Sequence, residues 1–213
     1  PTPALQLYRA ILAEDPGFER QDAVLFNTAM LLADQGDPEA GRFFAQLVRD
    51  HPSSSYAQES YLRMGDLAFN EKRFAECVPL YEHAAVGSDV SLRAIALYKL
   101  GWAHFNGERL DAAADAFRAV LDVYESKRDL KINVDIEGEA ESYLVHSLAR
   151  AGGAKAFGRH FEQVGGKPYE RRVLRDLAHH FRRYSLFGEA AEAEELYLTR
   201  YPLEAEALAT AQR

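Results

Sequence analysis

Five arginines crowd one short stretch of the chain: Arg171, Arg172, Arg175, Arg182 and Arg183, interleaved with His179 and His180. On a helix, Arg172, Arg175, His179 and Arg182 fall at i, i+3, i+7 and i+10 and share one face. A guanidinium presents a planar fork of donors that matches a carboxylate or a phosphate. The chemistry available to such a face is anion recognition, with an acidic peptide or a chain terminus as the natural ligand. The segment that follows carries Glu189, Glu192, Glu194 and Glu195, which could neutralise the arginines instead. Both readings stand at the level of sequence.

Bond-making chemistry finds less support. The chain has no HExxH, no CxxC, no glycine-rich phosphate loop between a strand and a helix, and no Gly-x-Ser-x-Gly. His179 and His180 are neighbours, so on a helix they diverge by about 100° and cannot share a metal-binding face. His51, His83, His104, His146 and His160 are scattered over separate segments. Cys77, the one cysteine, has no internal disulfide partner and is expected in the core. No catalytic residue, no metal site and no cofactor is expected, and the chain is read as not an enzyme. A net charge of −8 argues against a general nucleic-acid partner, which needs a basic surface. No apolar run reaches the 18 or so residues that would span a membrane.

The elements that must position these residues follow from a recurring comb. A small residue, a bulky one four later and an apolar one three or four beyond appear at Ala4/Tyr8/Ile11, Ala40/Phe44/Leu47, Ala156/His160/Val164 and Ala190/Glu194/Tyr197. In all four, a proline falls twelve residues after the small residue: Pro16, Pro52, Pro168 and Pro202. Cys77/Tyr81/Ala84 and Ala113/Phe117/Val120 keep the comb without the proline. A repeat that cannot bury its apolar face alone must stack on its neighbours, so the comb predicts a helical solenoid.

Turn residues divide the chain into a helix at 4–14 and five helical hairpins, about 22–51, 56–87, 90–125, 137–166 and 169–202. The serines at 53–55 offer a cap to the second hairpin, and Asp89 to Ser91 to the third. Residues 126–136 form the longest connection. There Leu130, Ile132, Val134 and Ile136 alternate with polar residues, which has the period of an extended segment. That segment either packs one side on the solenoid or offers an edge to a partner strand. The chain opens on a lone second helix and closes, at Leu203 to Arg213, on the start of another first helix. The expectation is a single array over 1–213 that is a piece of a longer protein.

The third hairpin, from Ala96-Leu-Tyr-Lys-Leu-Gly-Trp-Ala-His-Phe to Ala113 and Phe117, closely resembles a tetratricopeptide repeat. The second matches through Tyr61, Met64, Gly65, Phe69, Phe74, Cys77, Tyr81 and Ala84, and the fifth through Leu174, Leu177, Ala178, Phe181, Ala190, Tyr197 and Pro202. Glu194 stands where a bulky residue is usual, and the fourth hairpin is degenerate. The resemblance implies an all-α fold, a right-handed superhelix of about five hairpins with partial repeats at its ends.

In that family the first helices build a concave binding surface. Carried onto matching positions, the resemblance implies a groove from Phe26 and Met30; Leu62, Arg63, Asp66 and Phe69; and Tyr98, Lys99, Trp102 and Phe105. The partner-binding candidates are therefore Arg63, Tyr98, Lys99 and Trp102, with Arg172, Arg175, His179 and Arg182 on the corresponding face of the fifth hairpin. The asparagines that complete the family's carboxylate clamp are not at matching places, so a clamp of that kind is not expected.

The wording of the third hairpin, with Val164-Gly-Gly-Lys-Pro-Tyr-Glu-Arg-Arg-Val-Leu, is similar to large repeat proteins of the bacterial cell envelope, including ones associated with gliding motility. The segments around His51-Pro-Ser-Ser-Ser-Tyr-Ala and Tyr61-Leu-Arg-Met-Gly-Asp are similar to repeat proteins of β-barrel assembly and of the Tol system. This implies a non-enzymatic scaffold in the periplasm or cell envelope, with the cytoplasm as the alternative, holding a protein or peptide, acidic in one reading. A structural spacer within a larger machine, or a regulatory domain of a longer enzyme or sensor, are the other readings. Oligomeric state is left open.

Overall fold

The computed structural model describes residues 3–15, 17–127, 129 and 135–202. Among them are eleven helices: α1 (Pro3–Glu14), α2 (Gln21–Asp34), α3 (Ala40–Asp50), α4 (Ala57–Asn70), α5 (Phe74–Ala85), α6 (Val90–Asn106), α7 (Leu110–Ser126), α8 (Ile136–Arg150), α9 (Ala154–Val164), α10 (Glu170–Arg183) and α11 (Phe187–Arg200). They follow the expected order of one lone helix and five hairpins, and no strand occurs among the described residues. Of the alternating segment, Leu130, Ile132 and Val134 lie outside the described residues, as do 203–213. Ile136 is buried and opens α8, whose first turn Asp135 caps by accepting a hydrogen bond from the Gly138 N–H at 3.0 Å.

The helices fall into two compact units, residues 1–103 and 104–213. In the first, α1 packs on α2, α2 on α3, α3 on α4 and α4 on α5. Leu25, Phe26, Phe44 and Leu47 form the core between α2 and α3. The comb explains it: Ala40, Phe44 and Leu47 are fully buried, and so are Cys77, Tyr81 and Ala84 on α5. In α1 the register differs, since Leu5 rather than Ala4 inserts beside Leu32 and Ala40. The serine expected to cap α4 acts one step earlier. The Ser54 hydroxyl accepts the Tyr56 N–H at 3.1 Å and donates to Asp22 at 2.6 Å, bracing the turn rather than the helix. Asp89 does cap α6, accepting from the Leu92 N–H at 3.0 Å.

In the second unit α7 packs on α8, α8 on α10 and α10 on α11, while α9 touches α7, α8, α10 and α11. Phe117, Leu144, Leu148, Phe157, Phe161, Leu174, Leu177 and Phe181 are its buried bulk. Tyr169 donates to Asp122 at 2.6 Å, and Lys167 approaches the same carboxylate at 3.1 Å. Glu170, at the start of α10, is buried against Arg200 at the end of α11, and that guanidinium lies 5.7 Å from the Phe157 ring. An ion pair sheltered this way closes the fifth hairpin at its open end.

One turn recurs. Gly36, Lys72, Glu108 and Ser185 all take left-handed backbone, with φ of 67°, 59°, 58° and 59°. After each, the next N–H reaches back to the carbonyl five residues earlier: Asp37 to Leu32, Arg73 to Ala68, Arg109 to His104 and Leu186 to Phe181, all at 2.9 Å. This is the helix-terminating pattern in which a left-handed residue lets the backbone satisfy its last carbonyls. In the fourth hairpin Gly152 and Gly153, with φ of 123° and 64°, do the same work, and Gly153 N–H bonds the Leu148 carbonyl.

Candidate functional site

Two groups of candidate residues sit in separate units. In the first unit, Asp66 on α4 gathers three donors. The buried Tyr81 hydroxyl donates to it at 2.9 Å, Lys99 approaches at 2.8 Å, and Arg63 stands 3.9 Å away while pairing with Glu59 at 2.7 Å. Burial, then the Asp66 charge, pushes the Tyr81 phenol far above its ordinary value, so it stays a donor. Arg63 and Lys99 are thus half-buried struts around one carboxylate. Tyr98 and Trp102 lie one turn apart on α6, half-buried, with ring centroids 6.4 Å apart and planes nearly perpendicular. Two further residues of the implied groove go elsewhere. Leu62 is 2% exposed, and Phe26 stacks on Tyr56 at 4.8 Å inside the α2–α3 core.

In the second unit the predicted cationic face divides. An open groove of about 360 Å³ runs between α8 and α10, lined from α10 by Arg172, Asp176, His179, His180 and Arg183, and by Tyr184 just after it. From α8 it is lined by Gly138, Glu141, Ser142, Val145 and His146. Arg172 and His179 belong to it; Arg175 and Arg182 do not. Arg175 is exposed, 3.7 Å from Asp176, and Arg182 makes a double hydrogen bond to Glu194 on α11 at 2.5 and 2.8 Å. The predicted face spans the arc between α8 and α11, so its members turn to different neighbours. The residues that share the groove recur instead as Arg172, Asp176, His179 and Arg183, at i, i+4, i+7 and i+11.

A row of rings continues the groove. Phe105 meets Tyr143 at 5.5 Å, Tyr143 meets His146 at 5.2 Å, His146 meets His180 at 4.9 Å, and His180 meets Tyr184 at 4.9 Å. Arg150 lies 5.0 Å over Phe105 and pairs with Glu108. Arg172 pairs with Glu141 through Nε at 2.5 Å, which raises its pKa further. Burial, then Arg183, holds His146 below the ordinary imidazole value. Burial, then His146 and Arg183, does so for His180. The sequence could have named His146, His180 and Arg183 only through knowing which face of α10 meets α8.

The deeper histidines serve packing. His104 and His160 are each 8% exposed, and burial lowers both pKa values. His160 Nδ1 stands 3.6 Å from Asp115. Among the described residues no group of three or more His, Cys, Asp or Glu could hold a metal ion, and no helix is long and apolar enough to cross a membrane.

Residues 23–54 and 95–126 match the family model of the tetratricopeptide repeat, covering α2–α3 and α6–α7. No curated protein matches the chain. Several solved structures share its fold. YrrB, described as a TPR protein with an unusual peptide-binding site, is 16% identical over 97% of this chain and 98% of its own, with a TM-score of 0.54. The MamA RS-1 ArsTM double mutant is 18% identical over 76% of this chain and 83% of its own, with a TM-score of 0.53. PilF of Pseudomonas aeruginosa is 14% identical over 99% and 96%, with a TM-score of 0.52. At these identities the likeness is one of fold.

Proposed function

We propose that this chain, an all-α protein built from tetratricopeptide repeats, is a non-enzymatic scaffold that seats a protein or peptide segment in the α8–α10 groove. The observation that carries the reading is the convergence there of Arg172, Arg183, His179 and the ring row ending at Tyr184. Guanidinium forks fix a carboxylate and aromatic edges supply contact area, which is how a small number of residues dominates an interface. An acidic segment is the ligand that suits the donors Arg172, Arg183 and the three imidazoles, although Glu141 and Asp176 line the groove with them.

Fluorescence anisotropy with labelled peptides tests this. Acidic peptides should bind more tightly than their glutamine or asparagine counterparts. Arg172→Gln/Arg183→Gln should weaken them by about tenfold or more, a loss of about 1.4 kcal/mol, with far-UV circular dichroism unchanged. Equal affinity for acidic and neutral peptides would remove the charge-recognition part of the proposal.

The pairs Arg172–Glu141 and Arg182–Glu194 favour a second reading, a spacer whose charges serve its own packing. In that case no peptide binds and the same arginine substitutions lower only the melting temperature. We also place the scaffold in the bacterial envelope, associated with a motility or assembly complex. Its support is the sequence resemblance of the second, third and fifth hairpins. Fractionation of the full-length protein checks it: recovery in the cytosolic fraction alone would end that assignment.

A further inference from the structure

The fixed charges around the α8–α10 groove balance. Arg172 and Arg183 on α10 share it with Glu141 on α8 and Asp176 on α10, so the permanent cations are matched by carboxylates. The remaining ionisable groups there, apart from the Tyr184 phenol, are three imidazoles: His146 on α8, and His179 and His180 on α10. Any net positive charge in the groove must therefore come from protons. His146 and His180 are the central pair, half-buried with centroids 4.9 Å apart and planes at 60°. Tyr143 closes on one ring and Tyr184 on the other.

The charges that act on this pair are few. Arg183 on α10 acts on both rings, and His146 on α8 acts on His180; Asp176 and His179 line the same cavity, and Glu141 faces them from α8, tied to Arg172. Among the described residues, α7, α9 and α11, packed behind α8 and α10, contribute no charged group that acts on either imidazole. Burial and the nearby guanidinium both disfavour protonation, so at neutral pH the pair is uncharged.

We infer that an acidic peptide enters the α8–α10 groove together with protons taken up by the His146–His180 pair, so that binding tightens as the pH falls from 7.5 to 5.5. This deepens the reading proposed above and rests on it. A carboxylate seated beside the pair gives each imidazole an opposite charge within a few ångströms, which favours its protonated form. By linkage, whatever the ligand adds to proton affinity the proton adds to ligand affinity. The groove is then a site that gains its charge on demand.

The probe is a fluorescein-labelled tetra-aspartate amide, whose carboxylates (ordinary pKa about 3.9) remain ionised at both pH values. Anisotropy is read at constant ionic strength, with helicity checked at each pH. Wild type should bind about fivefold or more tightly at pH 5.5 than at 7.5. His146→Gln/His180→Gln should lose most of the pH dependence, read as the ratio of affinities at pH 5.5 and 7.5, which a uniform loss of ring contact leaves unchanged. Should the double variant lose helicity, His180→Gln alone should flatten part of the slope. Calorimetry at pH 6.5 in two buffers of different ionisation enthalpy should show net proton uptake. A flat wild-type profile, an unaltered slope in the variant, or zero uptake overturns the coupling while leaving the peptide groove standing. Binding of tetra-asparagine in place of tetra-aspartate would overturn the acidic-ligand reading and the coupling together.

Discussion

Asp66 shows how a single carboxylate can turn a candidate binding surface into a joint. Tyr81 sits 1% exposed with its hydroxyl on Asp66, and a Cβ added at Gly65 would stand 2.5 Å from the Tyr81 ring. The glycine admits the ring and the aspartate satisfies its hydroxyl. Asp66→Ala should destabilise the chain by about 2–3 kcal/mol, because it strands a buried donor and removes the partner of Lys99. Tyr81→Phe, which removes the donor and keeps the ring, should cost only about 1 kcal/mol. Urea denaturation of the two variants separates the effects. Equal losses would mean that the stranded hydroxyl and the lost Lys99 partner add nothing to the cost of breaking the hydrogen bond. Tyr81 and Gly65 were legible in the sequence, through the comb and the family pattern. The hydrogen bond to Asp66 was not, since nothing in helical spacing joins two residues on different helices. For the same reason the sequence offered Arg63 and Lys99 as groove residues, and the structure also gives them this local partner.

Among the elements, the left-handed residue that ends α2, α4, α6 and α10 sets the rhythm of the array. It falls at residues 36, 72 and 108, a period two residues longer than the familiar repeat, and again at 185. Only Gly36 takes that backbone without a steric cost; a side chain there is disfavoured by about 1–2 kcal/mol, partly offset by the greater chain entropy glycine loses on folding. Lys72→Gly, Glu108→Gly and Ser185→Gly should each stabilise the protein by about 0.5–1 kcal/mol, read as a higher melting temperature. A fall in melting temperature would show that the lysine, glutamate or serine side chain contributes more than its backbone costs. Hairpin boundaries were readable because proline, glycine and the comb punctuate them. The three non-glycine turn residues were hidden, since a lysine or glutamate carries no sign of left-handed backbone. The cationic face of α10 was misaligned by the same limit. Val173, Leu174, Leu177, Ala178 and Phe181 mark its buried side, but which flank meets α8 and which meets α11 is decided by packing.

Taken whole, the chain distributes its titratable groups unevenly. His104, His146, His160 and His180, whose pKa values burial lowers, all lie in the unit formed by residues 104–213. An imidazole depressed in the folded state leaves the unfolded chain holding more protons, with an ordinary value near about 6.5. Its contribution to stability is complete above that value and declines as the pH falls toward the folded-state pKa. The urea midpoint should therefore drop between pH 7.5 and pH 5.5, before carboxylates such as Asp22, whose pKa Ser54 lowers, begin to titrate. A midpoint unchanged over that interval would mean that these rings take up protons freely in the folded protein. The scattering of the histidines was plain in the sequence; their burial depended on which helix faces meet.

Cys77 lies fully buried on α5, its Sγ within 3.4 Å of the Phe74 carbonyl. A thiol so enclosed gives the protein an internal clock. An alkylating reagent meets it only when α5 lifts away, so the pace of labelling counts openings of that hairpin rather than collisions at the surface.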